Sequence, residues 1–256
     1  MQITSPPAAT LRGAYKIYPN GVRALDPTDL ELRQGEFVTI LGPSGCGKST
    51  LLRLIAGLSA ASGGSSEVGD NFRGDRLAYV FQSPTLMPWA SVATNVGLPL
   101  ALSCTPRRAA DEKVSRALAR VGLSDFASAL PRELSGGMQM RTSIARALVT
   151  EPRLLLMDEP FGALDEITRH RLDREISELS ARENLTVLFV THSIYEAVFL
   201  SSRVLVMSPR PGRLHAEIAI HAPRPRADAF RSTSEFAAHC AQLSEMLATV
   251  MGEAAP

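Results

Sequence analysis

The chain has 256 residues, enough for one large domain or two small ones with a sizeable buried core. Lys and Arg total 27 against 26 Asp and Glu, a formal net charge of +1 that argues against a protein devoted to wrapping nucleic acid. Three cysteines, Cys46, Cys104 and Cys240, form no metal-type pair, so a reducing, cytosolic setting is expected. Residues 1–10 lack a basic stretch followed by an apolar core, so no secretory leader is expected, and no apolar run reaches bilayer-spanning length. A role at a membrane then requires docking on another chain.

Residues 1–11 are rich in Pro, Ala and Thr and are expected to fray. Over residues 12–36 short apolar pieces alternate with turn residues such as Pro19-Asn20-Gly21, which predicts small antiparallel strands. Tyr18 lies there, either as a stacking platform for a ligand ring or as a half-buried strand tyrosine. Phe37-Val38-Thr39-Ile40-Leu41 reads as a buried strand. The run Gly42-Pro43-Ser44-Gly45-Cys46-Gly47-Lys48-Ser49-Thr50 comes directly after it. It fits the phosphate-binding loop G-x-x-x-x-G-K-[ST], and the next apolar run has helical spacing and stops at Gly57. Glycines let the loop backbone curl so that its N–H groups face inward, and the helix N-terminus adds positive potential. Lys48 supplies a charge for β- and γ-phosphates, and the Ser49 hydroxyl suits Mg²⁺.

Residues 59–75 read as loop with at most one edge strand, and 77–81 as a further core strand. Gln82 comes after that strand, where open α/β sheets place ligands. Residues 84–106 carry Leu86, Met87, the lone Trp89, Val92 and Val96 among many turn residues, as core or as a docking surface. Residues 106–122 predict a helix with Val114, Ala117, Leu118 and Val121 on one face. Leu134-Ser135-Gly136-Gly137 precedes another helix, so residues 83–149 read as a helical insert in an α/β core. Leu154-Leu155-Leu156-Met157 is a buried strand ending in Asp158 and Glu159. Two acids after a buried approach need a reason: Asp158 suits a Mg²⁺ shell and Glu159 a general base for water. Ile167, Leu172, Ile176 and Leu179 mark a helix. Val187-Leu188-Phe189-Val190 is a strand leading to His192, whose imidazole could contact a γ-phosphate. Residues 204–207 are the last parallel strand and 214–220 an edge strand. Pro223-Arg224-Pro225-Arg226 reads as a solvated basic linker, and Phe236, Cys240, Leu243, Leu247 and Val250 as the inner stripe of a closing helix.

The ordered set of phosphate loop, Gln82, Leu134-Ser135-Gly136-Gly137, residues 154–159 and His192 resembles the ATP-binding subunit of ABC (ATP-binding cassette) transporters, over about Tyr18 to Leu214. The likeness is nearest to importer ATPases of the nitrate/sulfonate/taurine type. It rests there on Pro84-Thr85-Leu86-Met87-Pro88-Trp89, Phe161-Gly162-Ala163-Leu164-Asp165 and Met207-Ser208-Pro209-Arg210-Pro211-Gly212-Arg213.

The resemblance implies a phosphate-loop NTPase fold: a mostly parallel sheet, a small antiparallel β subdomain and an inserted α-helical subdomain. A nucleotide-binding domain would cover 1–222 (core 1–82 and 150–222, insert 83–149), with a linker and C-terminal helix at 223–256. It implies ATP and Mg²⁺ as ligands, with Ser49, Gln82 and Asp158 around the metal. Tyr18 looks like the adenine-stacking aromatic, Asp165 like the dimer-loop aspartate and His192 like the switch histidine. Ser135, Gly136 and Gly137 look like the signature that grips ATP held by a second copy. Partners would be that second copy, membrane permease subunits and, indirectly, a solute-binding protein, at the cytoplasmic face of the inner membrane. The family usually has a glutamine where this chain has Met140, which bears on hydrogen bonding behind the signature. A soluble ABC protein acting on nucleic acid or ribosomes usually carries two cassettes or a long coiled coil, and neither is present in this sequence. A separately encoded exporter half is disfavoured only by the importer-type segments, and a module without turnover by Glu159 and His192.

Overall fold

The computed structural model describes residues 6–162 and 164–252. Strands β1 (Ala9–Ile17) and β2 (Arg23–Leu32) form the antiparallel pair expected upstream of the phosphate loop. With β4 (Gly63–Val68) they make a three-stranded sheet in the order β2-β1-β4. The larger sheet contains β3 (Phe37–Leu41), β5 (Leu77–Val80), β6 (Leu154–Asp158), β7 (Thr186–Thr191), β8 (Arg203–Met207) and β9 (Leu214–Ala219). Its order is β5-β6-β7-β3-β8-β9, parallel except for β9 on the edge.

Successive strand side chains point to opposite faces, so a sheet covered on both sides reads as continuous apolar runs. On β7, Val187 and Phe189 join one buried cluster while Leu188 and Val190 join the other. The first cluster takes in α5 (Glu166–Arg182), α6 (Ile194–Leu200) and α7 (Ser234–Gly252). The second takes in α1 (Lys48–Ile55) and the small sheet. Between β5 and β6 the chain forms α2 (Val92–Leu102), α3 (Arg107–Arg120) and α4 (Gly136–Leu148), which pack on one another.

Four expectations change. Ala9, Thr10 and Leu11 are ordered in β1 rather than frayed, because they pair with β2 and β4; residues 1–5 lie outside the described residues. Ile167 is 85% exposed, so it does not mark the inner face of α5. Val92, Val96 and Leu100 are core while Trp89 and Leu102 are exposed, so residues 84–106 divide between both readings. The basic segment is only partly solvated: Pro223 and Pro225 are exposed and Arg224 is half-buried. Arg226 is buried and donates to the carbonyls of Val198, Phe199, Ile220 and Ala222, because these end an α-helix and an edge strand with acceptors to spare. It seats the approach to α7, whose Phe236, Leu243 and Val250 are buried.

Candidate active site

Parallel strands end together, so a parallel sheet gathers the segments after its strands along one edge. Here that edge carries Gln82 after β5, Asp158 and Glu159 at β6, His192 after β7 and the phosphate loop after β3.

The loop feeds α1 through Gly47, at φ 106°. A Cβ there would lie 2.5 Å from the Ala24 carbonyl oxygen, so glycine is required by both torsion and space. No side chain caps α1, which leaves its first N–H groups for an anion. Lys48 is 4% exposed; its Nζ donates to the Gly42 oxygen at 2.8 Å and the Pro43 oxygen at 3.0 Å. Cys46 is buried and its thiol is pushed up by burial, as suits a packing residue.

Asp158 is buried at the end of β6, accepting from Ser49 Oγ at 2.8 Å and the Tyr79 hydroxyl at 3.2 Å. Burial pushes its carboxyl above the ordinary range, and those two bonds partly offset the rise. Glu159 sits at φ 45°, in the left-handed region, a conformation costing about 1 kcal/mol or more for a residue with a Cβ. Its N–H donates to the Val190 carbonyl at 3.0 Å, which anchors the bend. The bend sends the carboxylate among three partners: Lys48 Nζ at 3.4 Å, Gln82 Nε2 at 3.4 Å and His192 Nδ1 at 3.5 Å. Glu159 is 16% exposed and His192 58% exposed, so the acid sits within and the imidazole at the rim.

Lys48, Ser49, Gln82 and Glu159 border a cleft of about 420 Å³, also lined by Tyr18, Ser44, Gly45 and Thr50, while Asp158 and His192 meet it through Ser49 and Glu159. Tyr18 lies just past β1, half-buried, its hydroxyl 3.2 Å from Thr50 Oγ1. Such a cleft can hold a polyphosphate along the loop, a flat ring near Tyr18 and a water near Glu159. Ser49 and Asp158 offer hard oxygens side by side, and among the described residues no cationic side chain is bonded to the buried carboxylate; this donor set fits Mg²⁺, which takes few protein oxygens. Sequence reasoning missed Tyr79 and Arg210. Tyr79 reads as an ordinary strand residue, although its place on β5 opposite Leu156 puts it beside the acids. The Arg210 loop is docked through Gly212, whose N–H donates to the Ala24 carbonyl at 3.2 Å, so Arg210 Nε reaches the Gly45 oxygen at 3.3 Å.

The remaining nominated residues do not line this cleft. Ser135 caps α4, accepting from Met138 N–H at 3.3 Å, and Ser135 and Gly136 are exposed with Gly137 beside them. Gln139 donates to the Pro131 oxygen at 3.0 Å and the Leu134 oxygen at 3.4 Å, so an amide braces this turn while Met140 is buried. Asp165 is exposed and caps α5; the N–H of Thr168, 2.9 Å from its Oδ1, holds its carboxyl below the usual range.

The sheet order, the phosphate loop and the acids at the β6 edge define an ATPase cassette, and the chain belongs to the ABC transporter family, whose model matches residues 25–162. Among its relatives is the aliphatic sulfonates import ATP-binding protein SsuB 1 of Pseudomonas savastanoi pv. phaseolicola. It is 47% identical over 210 residues, covering 81% of this chain and 85% of that protein. SsuB 2 of Burkholderia lata is 43% identical over 226 residues, covering 87% of this chain and 81% of that protein. A cassette solved as a dimer in a post-hydrolysis state with ADP and Pi superposes with a TM-score of 0.76. It is 31% identical, over 84% of this chain and all of the other.

Proposed function

We propose that this chain is the ATP-hydrolysing subunit of an importer, two copies of which clasp two ATP molecules and drive a partner permease. The observation that carries this reading is a division within one chain. The cleft residues converge, while the turn at Ser135 and Gly136 faces solvent, as an anion site offered to another molecule should. The dimeric ADP-bound relative and the import role in the names of the SsuB relatives support it. Cargo of the sulfonate, nitrate or taurine class rests on those names and on the importer-type segments, since no residue of the cleft would touch it. A solute-binding protein would deliver it, and the dimer would sit at the cytoplasmic face of the inner membrane. No helix among the described residues is long and apolar enough to cross a membrane, so attachment would run through the permease. Trp89 is 77% exposed, and Thr85, just before residues 86–89, borders an apolar groove of about 590 Å³ that Leu98, Pro99 and Leu102 also line. The groove suits a short permease helix.

In this reading the loop N–H groups and Lys48 hold the β- and γ-phosphates, and Tyr18 stacks on adenine. Ser49, Asp158 and Gln82 would hold Mg²⁺, which would supply charge neutralisation for the phosphates. Glu159 orients a water and accepts its proton as the water oxygen bonds to the γ-phosphorus. The bond from that phosphorus to the bridging oxygen breaks, leaving ADP and phosphate. His192 contacts the γ-phosphate and aligns Glu159, while Asp165 lines the seam between copies.

The decisive test mixes subunits. Ser135→Arg and Lys48→Ala proteins, each inactive alone, should recover ATPase activity when mixed, because a mixed dimer keeps one site built from the intact loop of one copy and the intact Ser135 turn of the other. No activity above the sum of the two separate proteins would overturn the shared site.

A further inference from the structure

His192 lies between two residues that are held from below. Thr191 is buried at the end of β7, and its hydroxyl bonds the Glu196 carboxyl. The same Thr191 oxygen accepts from Ser193 N–H at 3.0 Å, so one buried carboxyl fixes the residue on each side of His192. Glu196 is on α6, 4% exposed. Its other oxygen, Oε1, lies 3.5 Å from Arg169 Nε on α5. Arg169 in turn donates from Nη2 to the carbonyl oxygen of Leu164 at 3.0 Å, the residue directly before Asp165. A continuous polar chain therefore runs from the backbone of the Asp165 loop, through Arg169 and Glu196, to the turn that carries His192. A second pair stands behind it: half-buried Arg231 donates from Nη2 at 2.7 Å to buried Asp173, which is on the same helix as Arg169 one turn further along.

A buried carboxyl and a half-buried guanidinium cost solvation wherever they lie, so a stability role alone would be served by apolar residues of like size. Here both ends of the chain meet backbone next to exposed side chains, one on the outward face and one at the cleft. We propose that Arg169 and Glu196 are positioning residues that couple the Asp165 loop to the His192 turn, so that closure against a second copy sets the imidazole for turnover. This rests on the role proposed for His192.

The test compares kcat and the KM for ATP in Glu196→Gln, Arg169→Met and the double variant, each with its melting temperature. The coupling predicts kcat down about tenfold with KM within about twofold, and a double variant no worse than the poorer single, because both cut one link. Thr191→Val should reproduce the kcat loss and Thr191→Ser should restore it, since serine keeps the hydroxyl. Singles whose losses multiply, or a Thr191→Val of normal kcat, would overturn the coupling. So would variants whose activity per folded molecule is unchanged while the melting temperature falls. His192→Ala serves as the reference. Its near-normal turnover would remove the His192 reading and the coupling with it, whereas an inactive His192→Ala beside a fully active Glu196→Gln would remove the coupling alone.

Discussion

The cleft around Lys48 and the face around Ser135 are both built on a helix N-terminus, and they are finished in opposite ways. At the cleft the helix is left uncapped, a buried lysine is folded into the loop, and carboxylates from β6, on the far side of β7, arrive from the side. At the Ser135 face the helix carries its own serine cap and stays exposed, with no cationic side chain among the described residues bonded to that serine. Close-range chemistry needs groups held to fractions of an ångström by a packed sheet, whereas a surface that engages and releases a partner must remain open.

The largest effect expected on this contrast is at the acid. Glu159→Gln should keep nucleotide binding and lose ATPase turnover by roughly a hundredfold or more, since the proposed general base is removed while its shape remains. Steady-state turnover beside nucleotide titration checks this, and near-normal turnover would refute the role. Lys48→Ala should weaken ATP binding about tenfold or more, the loss of a charge-assisted contact; unchanged affinity in a calorimetric titration would detach Lys48 from the phosphates. On the outward side, Trp89→Ala should weaken permease association about tenfold and leave basal ATPase untouched, as removal of an exposed aromatic anchor does. A pull-down with normal recovery would exclude residues 86–89 as the dock.

The smallest effect lies between the two regions. Burial, joined for Glu196 by the charge of Asp173, pushes the Asp173 carboxyl up to about 6 and the Glu196 carboxyl up to about 7. Arg169 and Arg231 face them from α5 and from the segment before α7, and Thr191 faces Glu196 from β7. Both carboxyls favour their neutral form in the fold, so the stabilisation is complete below the ordinary carboxylate range and is lost as pH rises through 6 to 7. The unfolding free energy from urea titration should fall between pH 5 and pH 8 by on the order of 2 kcal/mol, and Glu196→Gln should flatten the upper part of that fall. A flat wild-type profile would contradict it.

Most of the large sheet was legible because its strands are buried on both faces and so read as unbroken apolar runs, as in Leu154-Leu155-Leu156-Met157. The phosphate loop was legible because its glycines and lysine have fixed spacing in the chain. Arg226 was not, because a Pro-Arg repeat looks alike whether its guanidinium meets water or four carbonyls. Nor was the left-handed turn at Glu159, which glutamate does not favour and which only the packed bend after β6 enforces.

Local order along the chain therefore determined the kinds of element, the nucleotide loop and the residues worth nominating, since periodicity and spacing are properties of neighbours in sequence. Tertiary structure alone decided that Lys48, Gln82 and His192 each come within 3.5 Å of Glu159 while Ser135 and Asp165 face outward. The reason is strand order. Placing β7 between β6 and β3 brings distant segments to one edge, and no local pattern encodes which strand lies beside which.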